Sequence, residues 1–534
     1  MAKLNSFFVR FRPFAIALAY AASVAGFLWI CSLFYLPGKG FTYLIEFGDR
    51  DHRSYLPELQ AVNHYELPDS SGYDAQHYAQ IAMHPSLGDP VLRRAVDNLP
   101  YRARRILFCL TAYTLAGGKA VRALHIYALQ NIACWLLLAA LLLRWFPPNL
   151  WQNWVRWAGV LFSFGLCISV RGSLVDGPSL LFIAAGMALA ESGRPWLSAA
   201  VLGVAGLGRE TNILAGVALA PAEGSRRGWA LALGRGALVA LPLIAWLGIL
   251  WCWLGDAGGA GARNFAVPGV GYARKWVDIW RLAATGPGSM AWGSLFVQTA
   301  LTAQALFFLL RPRWSNPWWR VGAAYAVLMA LFGDAVWEGY PGAASRVLLP
   351  MTLAFNILVP RGRAWWIALL LGNLSVLVSP DALPLPGRES CIVEGPRSLR
   401  IIADTGRTVE AVFDERWYPP EKSWLEYWRW NRGEATVSFR NPHSFAVTAD
   451  ISFGLRAADN RGAEIWEGGR SLWRGALERG TLHPVTVRGV RLEPGETLWR
   501  FATDRPSYVP GNGDTRQLGY SVRDLKVDLT GPAP

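Results

Sequence analysis

Apolar runs alternate with charged loops along most of this chain, and the pattern changes near residue 387. The runs at 14–36, 121–143, 229–254, 291–310 and 364–378 read as membrane spans by length and apolarity. Two further blocks, 157–190 and 196–222, are interrupted by Arg171-Gly-Ser-Leu-Val-Asp176-Gly-Pro178 and by Arg209-Glu210-Thr211-Asn212. Each half holds about a dozen apolar residues, short for a full span. An Arg at the bilayer centre costs roughly 2.5–3.5 kcal/mol on insertion scales. The breaks therefore predict hairpins of short helices with polar tips on one face, with Asp176-Gly-Pro opening a new helix. With 321–332 and the helix headed by Arg346, about eleven spans are expected. From residue 387 the period shortens to two. Runs such as 435–439, 445–453, 484–487 and 520–527 alternate and are separated by turn pairs, as in an antiparallel β-sandwich.

The expected architecture is thus an α-helical polytopic membrane protein over 1–386, with a long first external loop at 37–105, followed by a β-sandwich domain at 387–534. Residues 14–36 read as an uncleaved anchor behind a basic start, Lys3, Arg10 and Arg12. The segment 104–115 starts with two Arg and is too short to span, which places it at the interface. Loops assigned to the cytoplasm are basic and nearly free of acids, a positive-inside pattern that puts the C-terminal domain outside.

Composition sharpens this. Only 17% of residues are charged, against roughly 25% in soluble domains. The net charge of +14 falls largely in the expected inner loops, and no basic tract has the pattern of a nucleic-acid module. The six Cys show no zinc spacing and predict no disulfide framework. Asp74, His77 and His84 do not make a closed ligand set, so neither an obligatory metal nor a cofactor is expected. The tryptophans 417, 424, 428 and 430 read as sandwich core rather than a sugar platform.

The polar breaks converge on one face: the loop with Tyr73, Asp74, Gln76 and His77; Arg171 and Asp176; Arg209 and Glu210; Glu338; Arg346. Ionisable residues beside a membrane are candidate site residues. Two bland readings stand beside this one. Asp74 falls where a helix N-cap belongs, and the charges can pair with one another and fix packing. The chemical reading is a carboxylate acting as general base on a hydroxyl, with Arg171, Arg209 and Arg346 gripping the phosphate of a lipid-linked donor and Arg104 and Arg105 assisting at the interface. A transporter or flippase is the rival class, but no internal repeat is visible and the charges cluster to one side.

Gly72-Tyr-Asp74-Ala-Gln-His-Tyr-Ala-Gln-Ile-Ala82 is similar to a Tyr-Asp-Gly-Gln-aromatic-Tyr pattern of bacterial membrane proteins of the GT-C type, with Ala75 where Gly is usual. Asp97-Asn-Leu-Pro-Tyr101-Arg-Ala-Arg104-Arg105-Ile-Leu resembles their next motif, and Val170-Arg171-Gly and Asp176-Gly-Pro-Ser-Leu also fit. Residues 14–380 thus resemble the GT-C superfamily of polytopic glycosyltransferases. That resemblance implies a polyprenyl-phosphate-sugar donor, an inverting transfer to a glycan, lipid or protein acceptor outside the bacterial cytoplasmic (inner) membrane, and Asp74 as base. Asp49 and Asp51 are the rival bases. The stretch 514–522 resembles the closing strand of β-domains attached to bacterial sugar-handling proteins.

Overall fold

The structure is a computed structural model. It describes residues 2–36, 39–62, 64–67, 70–222, 224–256, 258–285, 289–339, 341–386, 391–394, 397–403, 407–422, 427–510 and 514–530; the side chains of 2–13, 285, 289, 391–394, 402, 422 and 530 are not described. Pro37, Gly387 and Trp424, and the side chains of Lys3, Arg10 and Arg12, therefore lie outside the described residues. The chain divides into two compact units: 1–35, 40–66 and 72–385 in one, and 36–39, 67–71 and 386–534 in the other.

The first unit is helical. Among the described residues, five of its helices are long and apolar enough to cross a membrane: Phe14–Ser32, Ala120–Leu142, Arg226–Leu254, Met290–Leu310 and Arg363–Ala382. A bent pair, Trp151–Leu161 and Phe164–Arg171, meets at 46° and makes up to six. The other expected crossings fall on shorter helices, among them Asp176–Glu191, Pro195–Gly206, Pro317–Leu331 and Leu349–Leu358.

Both charged interruptions are real helix breaks, and their freed backbone is satisfied by neighbouring side chains, as buried non-helical backbone requires. Helix Phe164–Arg171 ends, Ser173 turns through φ 44°, and the chain re-enters a helix at Asp176. Tyr127 donates to Ser173 O at 3.0 Å, and Asn131 to Leu174 O at 2.9 Å, both from helix Ala120–Leu142. Ser169 Oγ accepts from Gly177 N at 2.8 Å. After Pro195–Gly206 the chain tightens into a 3₁₀ run, Glu210–Leu219. Tyr325 donates to Thr211 O at 3.0 Å, and Arg320 reaches Val217 O at 3.1 Å and Ala218 O at 2.6 Å at the far end of that run.

The segment between the first two long helices folds into short pieces around a buried core that includes Phe47, Tyr55, Leu56, Tyr78, Ile81 and Leu92. Helix Asp74–Met83 is its axis, and two buried glutamines tie the loops to it. Gln76 Oε1 accepts from Gly48 N at 3.1 Å and from Tyr55 Oη at 2.8 Å. Gln80 accepts from Leu56 N at 3.0 Å and donates to Ala95 O at 3.0 Å. Gly72 stands at φ +70°, and a Cβ there would lie 2.6 Å from Gly48 N. Only glycine meets both demands.

The second unit is a β-sandwich. One antiparallel sheet has seven strands in the order Arg470–Leu477, Arg461–Glu467, Gly495–Thr503, Ala435–Asn441, Thr408–Phe413, Ser398–Ile402, Cys391–Glu394. The other has five: Leu482–Leu492, Val447–Ala457, Tyr520–Thr530, Tyr427–Trp430, Glu421–Lys422. Val447–Ala457 alternates buried and half-buried residues along its whole length, the period-two pattern of a strand with one face on a core. That core draws on both sheets, with Ile401, Phe439 and Trp499 from one and Ile451, Leu455 and Val522 from the other. Trp417 belongs to it, edge-on to Phe413 and Phe501 at 5.4 Å each.

Candidate active site

The polar ends of several elements in the helical unit meet at one cavity of about 620 Å³. Helix Asp74–Met83 contributes Asp74 at its first turn and Tyr73 just before it. The short helix Leu99–Arg102 and the 3₁₀ turn Ala103–Arg105 supply Arg102 and Arg105. Asn98 caps the first of these, its Oδ1 accepting from Tyr101 N at 3.0 Å, and so fixes which way the arginines leave the backbone. Arg209 comes from the second helix break, Arg346 from the turn Ala344–Val347, and Glu338 follows Asp334–Trp337. Glu46, held at φ 59°, completes the charged lining.

Asp74 is not a cap. Tyr73 occupies the N-cap position and makes no side-chain cap, while Asp74 is the first residue inside the helix. Its carboxylate accepts from Arg102 Nη1 at 2.7 Å. Burial pushes the Asp74 carboxyl up, but Arg102, Arg346 and Arg105 outweigh it and hold the pKa at about 2. Glu46 goes the other way: burial, together with the negative charge of Asp74, raises it above the ordinary carboxylate value despite Arg171 and Arg346. One cavity thus carries a carboxylate held ionised and a second pushed toward its acid form.

The arginines are largely committed. Arg102 also holds Asp97 through two bonds, at 2.9 and 2.7 Å. Arg105 donates to Glu210 at 3.0 Å, Tyr78 Oη at 2.7 Å and Tyr101 Oη at 3.4 Å. Arg346 donates to Asp176 at 3.3 Å and Tyr73 Oη at 2.8 Å. Arg209 is bonded to the other oxygen of Asp176, and its buried Nε has no acceptor among the described residues. Asp176 therefore clamps two arginines from distant parts of the chain, and Arg209 retains donor capacity beside the cavity.

Of the residues singled out in the sequence, Tyr73, Asp74, Arg105, Arg209, Glu338 and Arg346 line the cavity, and Asp176 and Glu210 stand behind it as partners of its arginines. Arg171 lies apart from the lining, stacked 3.7 Å over the Tyr43 ring and paired with Glu46 at 3.1 Å. Gln76 is spent on Gly48 and Tyr55. His77 faces Asp97 at 3.6 Å, and burial lowers its pKa. Arg104 lies against the Tyr101 ring at 5.4 Å. Glu338 pairs with the exposed Arg263 at 2.6 Å. Asp49 and Asp51 are in the 3₁₀ turn Asp49–Ser54 and do not line the cavity. His84 meets Glu58 at 3.3 Å and stays apart from Asp74 and His77. Glu46 and Arg102, which also line the cavity, are not among the residues the sequence pattern singles out. Arg102 sits inside the 97–107 motif, three positions before Arg105, and that motif was its available signal.

No protein-family model matches the chain, and no curated protein matches it. Among solved structures, the arabinosyltransferase EmbB from Mycobacterium smegmatis is similar over 96% of this chain and 64% of its own, at 10% identity and a TM-score of 0.34. The chain thus spans just under two thirds of that protein's length. A GH26-CBM35 β-(1,4)-mannanase from Podospora anserina covers 28% of this chain and 29% of its own, at 10% identity and a TM-score of 0.17. Likenesses at this level leave the functional reading to the cavity itself.

Proposed function

We propose that this chain is a membrane glycosyltransferase that moves a sugar from a polyprenyl-phosphate donor to an acceptor hydroxyl, with inversion, on the extracytoplasmic side of a bacterial inner membrane. The observation that carries the proposal is the meeting, in one cavity, of an ionised carboxylate and four guanidiniums. In such a transfer the bond from the sugar's anomeric carbon to the phosphate oxygen breaks and the phosphate takes the electron pair. A new bond forms to the acceptor oxygen, whose proton passes to a base. Arg209, with its unpaired Nε, and Arg346 beside it are suited to the charge that grows on the departing phosphate. Asp74 is suited to the proton. A carboxyl with a pKa of about 2 is a weak base, but the acceptor hydroxyl becomes strongly acidic as its oxygen bonds to the cationic sugar carbon, so late transfer needs only an ionised carboxylate within reach.

Tyr73 is assigned the orientation of Arg346, and Arg102 and Arg105 the electrostatic holding of Asp74. Arg104 and His77 do not line the cavity, and no substrate contact is assigned to them. Transfer is assigned to residues 1–386, and the sandwich of 387–534 is assigned to the extracytoplasmic side of the membrane. The test is transfer from a radiolabelled polyprenyl-phosphate sugar in proteoliposomes, paired with mass spectrometry of co-purifying lipid-linked species. Label appearing in product, and lost in Asp74→Asn, is the expected result. Translocation of the donor without any transfer would move the protein to the transporter class.

A further inference from the structure

A second cluster lies in the same unit but off the cavity. His52 in the turn Asp49–Ser54, His64, and Glu66 bring one ligand atom each to within 4.8 Å of one another. None of the three lines the cavity. His64 and Glu66 are nearly enclosed, with side chains 3% and 11% exposed. The His64 ring is held edge-on by Phe47 at 5.0 Å and by Tyr55 at 6.2 Å, and lies parallel to His52.

The hydrogen bonding of His64 gives the cluster its meaning. Nδ1 lies 2.7 Å from Val62 O, and a carbonyl only accepts, so Nδ1 carries the proton. In the neutral ring Nε2 is then a lone pair, and it points at Glu66 Oε1 from 3.1 Å. His52 Nδ1 approaches the same oxygen. The His64 Nε2 lone pair and the carboxylate oxygen it faces repel unless a proton or a cation lies between them. A backbone carbonyl fixing the far nitrogen is also the usual outer-sphere support of a metal-bound His.

We propose that His52 Nδ1, His64 Nε2 and a Glu66 oxygen bind a divalent late first-row metal of the zinc class. Two imidazoles and a carboxylate form a known zinc donor set, with water in the fourth position. Tetrahedral ligands about 2.1 Å from zinc stand roughly 3.4 Å apart, so small side-chain adjustments seat the ion. The sequence carries the expectation of no obligatory metal anywhere in the chain, and this proposed site goes against it as a clamp away from the catalytic residues. It closes the loop from His52 to Glu66 over Tyr55, whose hydroxyl bonds Gly48 O at 2.5 Å and Gln76 at 2.8 Å. Gly48 lies two residues from Glu46 in the cavity wall, so the metal would stiffen the support of that wall without touching substrate.

The test uses full-length protein in detergent, carrying a tag without histidine, stripped with chelator and titrated with zinc. One equivalent per chain is expected. His64→Asn and Glu66→Gln should each weaken binding at least about tenfold, while His84→Asn leaves it unchanged. Absence of stoichiometric zinc binding by the unmodified protein, or full binding by the His64→Asn/Glu66→Gln double variant, overturns the proposal. Should these variants fail to fold, the unmodified protein still decides the matter. Cobalt(II) should give ligand-field absorption and protect the exposed His52 from carbethoxylation, and lack of protection at His52 is a refutation.

Discussion

Asp74→Asn separates a base from a strut. Asn retains an oxygen that accepts from Arg102, and the residue caps nothing, so no capping energy is at stake. What disappears is the charge. A carboxyl pKa lowered from 3.8 to about 2 corresponds to about 2 kcal/mol of preference for the ionised form. With the side chain 30% exposed, solvent screening reduces that to about 1 kcal/mol. Arg102 keeps both bonds to Asp97, which limits the loss further. Unfolding temperature should thus fall by only a few degrees. Loss of general-base catalysis removes about 10²–10⁴-fold in rate, roughly 3–5 kcal/mol of barrier, well beyond the structural term.

The control is Asp97→Asn. Asp97 grips the same Arg102 but stands outside the cavity. If Asp74 merely held Arg102, the two variants would be equally damaging. The base assignment requires transfer to collapse in Asp74→Asn and to stay within about fivefold of normal in Asp97→Asn, a loss of no more than ~1 kcal/mol. Proteoliposome transfer rates, with thermal unfolding followed in parallel, read both. Equal losses, or an active Asp74→Asn, refute the reasoning. The pH profile supplies a second reading. Since the folded pKa of Asp74 lies below its unfolded value, its stabilising contribution is complete above about pH 4 and is lost as pH falls through about 2. Asp74 therefore puts no acid limb between pH 5 and 8, and a limb in that window belongs to another group.

Arg209→Lys keeps charge but not the guanidinium fork, and donor binding should weaken about ten- to hundredfold, the worth of a charge-assisted bond, with unfolding temperature little changed; isothermal titration with a polyprenyl phosphate checks this. Arg171→Met leaves Glu46 without its guanidinium partner and should destabilise the folded unit by about 3 kcal/mol, seen as a lowered thermal midpoint. Gly72→Ala forces a Cβ to within 2.6 Å of Gly48 N at φ +70°, and a loss of at least about 1 kcal/mol should appear in the same assay. Asp49→Asn and Asp51→Asn, being off the cavity, should transfer at near-normal rates; a dead variant of either moves the base assignment there.

Periodicity made the helices and strands legible. The run at 445–453 alternates in sequence and becomes the Val447–Ala457 strand of the five-stranded sheet. The polar interruptions at 171–178 and 209–212 were legible for a different reason: charge in an apolar block costs too much to leave in an unbroken helix. The chain indeed leaves the helix at Arg171 and re-enters it at Asp176. What periodicity does not show is which polar groups satisfy a break. Tyr127 and Asn131 donate to Ser173 and Leu174 from over forty residues away, and in sequence they are ordinary members of an apolar helix.

The site was legible in its residue types and less so in its pairings, and Arg102, Arg104 and Arg105 show why. They occupy three of four consecutive positions. Each step along a helical turn rotates a side chain by roughly 100°, so neighbours face different surroundings however alike they look in sequence. Arg102 turns to Asp74 and Asp97, Arg105 to Glu210 and Tyr78, and Arg104 lies along the Tyr101 ring. The choice between them rests on the phase set by the Asn98 cap, which periodic patterning does not encode over so short a helix. Glu46 is harder still, because a non-glycine residue at φ 59° has no local signature. It is held there by Arg171, at the end of a helix 125 positions later. Arg171 thus acts on the cavity through a carboxylate that the sequence does not mark. A phosphate role for Arg171 and a supporting one predict different things: the first loses donor affinity in Arg171→Lys at constant stability, and the second loses stability first.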